Sequence, residues 1–392
     1  MVTLEKPTIA LVGRPIVNHP AGTDFTDEGT TLKSAAGEDL DSALLQVNGE
    51  VDTAKLGQYV LTFSFIDENG VPADEVTRTV NVVDSEAPVI TLEGEAEMQL
   101  ILGQPFVDPG VTITDNFATG LVAGSTEKLP TNSLLFHLDA SNLPGVNDGD
   151  TLLEWPDVSG HGRDFTDVRG EPILVADALN GKPAVRVDGN DFLASPVNVE
   201  RHYSVFAVGQ YEGSDNERLL SSKTRNWILG FHGNRLDRFH PEAWSILFSD
   251  KPATVEPHFY AVTSTGSSHI RFWSNGREII EAPNLNGRMG HFQIGGYQTS
   301  SEAAAGDVAE VLVYNNYVVT EQERLSIEAR LMTKYNFPGY PAHTPPDFSK
   351  LGEHEILYFT HDTAGNRTFA TRKVTVVPDP AIPVIVLEGR PS

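Results

Sequence analysis

Residues 8–29 (TIALVGRPIVNHPAGTDFTDEG) align without a gap to residues 89–110 (VITLEGEAEMQLILGQPFVDPG). Gly13, Gly22, Phe25, Asp27 and Gly29 fall on Gly94, Gly103, Phe106, Asp108 and Gly110. A second match links residues 50–84 to residues 346–379, where Asp52, Lys55, Leu56 and Gly57 are answered by Asp347, Lys350, Leu351 and Gly352. Front and back of the unit are joined by about twenty residues in the first copy and parted by roughly two hundred in the second. One repeat unit therefore carries a whole second domain inside it.

This organisation predicts a first repeat over 1–85 and a discontinuous second repeat over 86–130 plus 339–382. Residues 131–338 form the insertion. Residues 383–392 open a third repeat, because VIVLEGRPS repeats VITLEGEAE. The expectation is an excerpt of a longer secreted protein, with further copies of this repeat as neighbours. A length of 392 residues with 40% hydrophobic content suits several packed cores.

The net charge of −26 is spread along the chain. Residues 1–85 hold 5 basic against 14 acidic side chains, and residues 131–338 hold 17 against 27. A chain acidic throughout lacks the basic patch that nucleic acid or anionic lipid demands. The charge serves solubility, or some carboxylates hold calcium, a hard cation that takes oxygen ligands. No cysteine is present, which excludes disulfides, zinc–thiolate sites and cysteine nucleophiles.

In the repeats, YVLTFSFI and TRTVNVV are apolar or alternating and rich in β-branched and aromatic residues, with Gly, Pro, Asn and Asp between them. IDENG and HDTAG read as hairpin turns. With FVDPGVTITDN (106–116) and DTAGN (362–366), the pattern resembles the bacterial Ig-like repeats of secreted surface proteins and some crystal toxins. The resemblance implies a spacer or presentation role without catalysis. The first unit departs from it, reading TDEGTTLKS where DPG…TDN is usual, so a ligand role for Asp115 does not transfer there. Asp84, Glu86, Asp108, Asp115 and Asp362 are candidate calcium ligands at repeat junctions; the alternative is turns whose Asp side chains bond local backbone.

The insertion also reads as β-rich, with one helix expected over 320–335, where Thr320 and Glu323 have capping-box spacing. SLLFHLDAS, LLEWPDVSGHGRDFT, NGKPAVRVDGNDFL and, late in the block, GDVAEVLVYNNYVVTEQERLSIEARLMTKYNF follow in an order that resembles bacterial laminin G-like, concanavalin A-like jelly-roll domains. The resemblance implies a two-sheet sandwich, often with calcium and often binding glycans or proteins. The expected fold is thus all-β: Ig-like sandwich repeats with a jelly-roll sandwich inserted into the second. Trp155 is expected in the core. Asp188, Asn190 and Asp191, with Asp307, have oxygen-ligand chemistry for calcium, against a plain tight turn at DGND.

Recognition chemistry is densest in RNWILGFHGNRLDRFHPEAWSILF (225–248). Trp227, His232, Arg235, Arg238, His240 and Trp244 are the candidate ligand-binding residues, since sugar C–H faces stack on aromatics while Arg and His bond hydroxyls. The alternative places WILGF and WSILF in the core as strands. No ExDxE carboxylate strand, GxSxG, HExxH or phosphate-binding glycine loop occurs. Asp307 and Glu310, three apart, are expected on opposite faces of a strand. These features lead to a non-catalytic extracellular or cell-surface module whose partner is a glycan or a surface protein. A purely structural segment is the second reading, and a fragment of a polysaccharide-degrading enzyme the third.

Overall fold

The computed structural model describes residues 5–212, 217–242, 251–266, 269–283, 287–297 and 302–380; Trp244 and residues 383–392 lie outside them. The chain is all-β, with one α-helix among the described residues. It divides into two compact units. One comprises Met1–Thr91, Thr112–Leu121 and Thr360–Thr368; the other Leu92–Val111, Val122–Phe359 and Phe369–Ser392.

In the first unit a three-stranded sheet orders Thr8–Leu11, Thr30–Lys33 and Asp39–Leu40. A four-stranded sheet orders Ile16–Pro20, Val76–Val83, Gly57–Ser64 and Gln46–Asn48. Alternation in the LTFSF stretch turns Leu61 and Phe63 inward with Ile9, Leu32 and Ala73. Ile16–Pro20 runs parallel to the end of Val76–Val83, with Ile16 opposite Thr79 and Pro20 opposite Val83.

The same parallel pairing recurs between segments about 270 residues apart. Glu97–Ile101 runs parallel to the end of Arg367–Val377, with Glu97 opposite Lys373 and Ile101 opposite Val377. The two registers match position for position under the sequence alignment of the repeats. Gly352–His361 and the short strand Gly124–Ser125 complete this four-stranded sheet.

One buried arginine recurs at the matching place in each copy of the aligned segments. Arg78 donates to the carbonyls of Val12, Arg14 and Gly29 and pairs with Asp27 at 2.7 Å. Arg372 donates to the carbonyls of Glu93, Glu95 and Gly110 and lies 3.6 Å from Asp108. Both arginines are fully buried. A planar five-donor cation satisfies several carbonyls at a strand-to-strand crossing, which no neutral side chain can do.

Between residues 131 and 338 two antiparallel sheets face each other. The larger orders Ile173–Leu179, Lys182–Asp188, Ala305–Asn315, His202–Tyr211, His258–Thr265, His269–Ser274 and Arg277–Pro283, and Leu134–Asp139 also pairs with Ala305–Asn315. The smaller orders Asp167–Arg169, Phe192–Ala194, Phe292–Ile294, Leu220–Ser222, Trp227–His232 and Arg235–Pro241. Their inner faces share one core that includes Trp155, Trp227, Phe239, Tyr260 and Phe292.

The helix Glu321–Lys334 covers the outer face of the larger sheet, burying Leu325, Leu331 and Met332 beside Phe206, Leu312 and Phe359. It starts as its sequence predicts. The Thr320 side chain accepts from the Glu323 N–H, while the Glu323 carboxylate accepts from the Thr320 N–H.

Candidate functional site

Strand alternation decides the fate of the aromatic–basic segment. In Trp227–His232 and Arg235–Pro241, Trp227, Leu229, Phe231 and Phe239 enter the core. Ile228, His232, Arg238 and His240 take the opposite face, where with Arg218 and Asn226 they line a pocket of about 130 Å³. Trp227 thus offers no ring to a ligand: it is fully buried, its indole N–H donates to the Tyr203 hydroxyl at 2.9 Å, and it meets Phe239 and Phe292 edge-on. Arg235 sits at the hairpin end opposite His232, outside the pocket lining. Trp244 lies outside the described residues.

Arg218, which the sequence reading missed, organises the pocket. Its guanidinium lies 4.4 Å from the Tyr297 ring centroid, donates to the Glu302 carboxylate at 2.5 Å, and donates to the Asn226 side-chain oxygen at 2.8 Å. The His240 ring is held by the Asn226 carbonyl at 2.6 Å. Burial pushes His232 and His240 below the ordinary histidine range, and the Arg218 charge adds to it. At neutral pH the pocket therefore combines two guanidiniums, two neutral imidazoles, an amide and the apolar edge of Ile228. Arg218 was missed because it lies outside the aromatic–basic segment, two residues before strand Leu220–Ser222, with no local pattern to mark it.

Asp188, Asn190, Asp191 and Asp307 do not form a shared cation site. The Asp307 carboxylate is fully buried and doubly bonded by Arg186 at 2.8 and 2.9 Å. Asp191 accepts from the N–H groups of Glu171 and Asp188, and Asp188 accepts from the N–H of Asn190. DGND is a turn, with Gly189 at φ +94°.

Asp307 and Glu310 also share a face, against expectation. The register slips where Val208 pairs with Glu310 and Gly209 with Val308, a bulge that adds one residue and resets the alternation. Glu310 therefore points toward the helix, beside Asp139, His137 and Lys334, in a pocket of about 470 Å³. Oxygens and nitrogens of His137, Asp139 and Glu310 lie within 4.8 Å of one another. The space between them is taken by the Lys334 ammonium, 2.8 Å from Asp139 and 2.5 Å from Glu310. Burial opposes ionisation of Glu310, yet the His137 hydrogen bond and the Lys334 charge outweigh it and pull the carboxyl down to about 2. A carboxylate so held cannot serve as the protonated acid of a glycosidase pair.

Of the repeat-junction candidates, Asp108 is taken by Arg372, by the Tyr358 hydroxyl at 2.6 Å and by the Gly110 N–H. Glu86 is exposed, and its N–H donates to Asp84. Asp84, Asp115 and Asp362 do come together, all in the first unit.

The family model for the bacterial surface protein, Ig-like domain, matches residues 9–82. Residues 9–82 are a bacterial surface Ig-like domain. No curated protein matches.

Among solved structures, domain 4 of AbnA, a GH43 extracellular arabinanase from Geobacillus stearothermophilus in complex with arabinotriose, is 17% identical. That match covers 50% of this chain and 98% of that one, with a TM-score of 0.37. The binding domain of Paraclostridial Mosquitocidal Protein 1 is 10% identical over 52% of this chain and 53% of its own, with a TM-score of 0.37. The binding domain of botulinum neurotoxin DC in complex with rat synaptotagmin II is 12% identical over 62% and 71%, with a TM-score of 0.36. No helix among the described residues is long and apolar enough to cross a membrane.

Proposed function

We propose that this chain is a non-catalytic, extracellular binding module that recognises a terminal sugar of a glycan. The carrying observation is the outer face of the smaller sheet, where His232, Arg238 and His240, with Arg218 and Asn226 from just before two of its strands, line one pocket. Donors and neutral ring nitrogens match hydroxyls, and the guanidiniums favour a sugar that bears a carboxylate. The pocket is smaller than the few hundred Å³ of sites that engulf a ligand, which suits end-on contact with a chain terminus. We read residues 131–338 as a laminin G-like jelly roll inserted into a second Ig-like repeat, 86–130 plus 339–382. Both large sheets fall inside the first range, and the parallel pairing of Glu97–Ile101 with Arg367–Val377 joins the two parts of the second.

Binding to an array of neutral and uronate- or sialate-terminated glycans tests this reading. The expected result is binding to acidic termini that falls about tenfold, the loss of one hydrogen bond to a charged group, in Arg238→Ala, with an unchanged circular dichroism spectrum. An array without hits favours the structural reading, in which the pocket is only a polar patch on a spacer.

A further inference from the structure

We infer that Asp84, Asp115 and Asp362 form a calcium site in the first unit, independent of the glycan pocket. One carboxylate oxygen from each lies within 4.8 Å of the other two. Oxygens bound to calcium at about 2.3–2.6 Å stand at most about 5 Å apart, so one ion can touch all three. The chain positions them from three distant places: the residue after strand Val76–Val83, the residue after strand Val111–Thr114, and the residue after strand Gly352–His361.

Their hydrogen bonds leave oxygens over. Asp84 is 9% exposed; one of its oxygens accepts from the Glu86 N–H, while Oδ2 is buried without a hydrogen-bond partner. Asp115 accepts the Phe117 and Ala118 N–H groups on Oδ1, and its Oδ2 is likewise buried and unpartnered. Asp362, 2% exposed, is fixed by Asn366, whose amide also donates to the Asp84 carbonyl. Leaving anionic oxygens buried and unpaired costs far more than a turn returns, and a divalent cation removes that cost. An all-oxygen set without histidine selects a hard cation.

The first repeat supplies an internal contrast. Asp67 occupies the place of Asp362 and accepts from Asn69 and Val71 as a turn residue should. The places of Asp84 and Asp115 hold Thr3 and Ser34. A turn needs only the first carboxylate. The other two appear together only where the three segments meet.

The test uses the full chain, first stripped with chelator. With about 5 mM calcium chloride, above the affinities of extracellular calcium modules, the unfolding midpoint of the first unit should rise by about 5 °C. Calorimetric titration should count one ion per chain. Asp115→Asn should lose the calcium response while its midpoint in chelator equals or exceeds that of the parent, because a buried repulsion is gone. Asp84→Asn gives the same reading if Asp115→Asn does not fold, and Asp67→Asn should keep the full response. No heat and no shift in the parent, or an unchanged response in the Asp84 and Asp115 variants, overturns the site.

Discussion

Arg78 and Arg372 make equivalent contacts from equivalent positions, each satisfying three carbonyls and pairing with one aspartate. Nothing in local sequence separates them from a solvated arginine on an alternating strand. The signal that marks them is their recurrence with Asp27 and Asp108 at matching places in the repeats. Burial of Trp227 stood in the sequence only as one of two readings, because WILGF is apolar on both faces and only pairing partners reveal which face meets the second sheet. Glu310 shows what such buried charge contributes. Its folded carboxyl titrates at about 2, below its ordinary value of 4.5. The stabilisation is therefore complete above about pH 4.5 and is lost as pH falls toward 2. Glu310→Gln should destabilise the second unit by about 3–5 kcal/mol at pH 7, because Lys334 is left half-paired among buried groups. Urea denaturation at pH 7 and at pH 3 checks this. The gap between parent and variant should narrow at the lower pH, and a constant gap would assign the effect to packing.

At the scale of elements, the helix Glu321–Lys334 was legible because its start is written in chemistry that acts locally: a threonine acceptor, a glutamate three residues on, and an apolar stripe. The bulge in Ala305–Asn315 was not legible. That strand is buried on both faces, so the apolar residues around Asp307 and Glu310 do not show where the alternation slips between them. Gly124 belongs to the same class of hidden constraint. A Cβ there would stand 2.2 Å from the carbonyl carbon of Leu325 and 2.3 Å from the amide nitrogen of Ser326. Both are helix backbone, which cannot yield as a side chain can. The Ser125 N–H also donates to the Ser326 hydroxyl at 3.0 Å, fixing strand against helix. Gly124→Ala should therefore lower stability by about 1–3 kcal/mol, as overpacking does. A denaturant midpoint equal to the parent's would mean that helix and strand are free to separate.

At the scale of the whole molecule, the proposal that a repeat is opened by an insertion raises the question of whether residues 131–338 would be a passenger. The repeats themselves were plain in the sequence because duplication leaves position-by-position identities. The packing of strand Gly352–His361 against the helix region was not, because it rests on side chains with no counterpart in the first copy. Phe359, on a strand of the repeat, is fully buried in the cluster that holds Leu325, Leu331 and Tyr335 of the helix region. Its ring meets Tyr340 and Phe369, each at 5.2 Å between centroids. Tyr340 in turn donates its hydroxyl to the buried Glu328 carboxylate at 2.5 Å, and Glu328 pairs with Arg324 at 2.6 Å. The aromatic cluster thus passes stability in both directions, and the second unit should unfold as one cooperative body. Phe359→Ala should cost about 3–5 kcal/mol. Hydrogen exchange should show protection falling by the same amount in Arg367–Val377 and in Glu321–Lys334. If exchange quickened in the strand alone, the insertion would be an independent domain, and removing it would leave a repeat able to fold by itself.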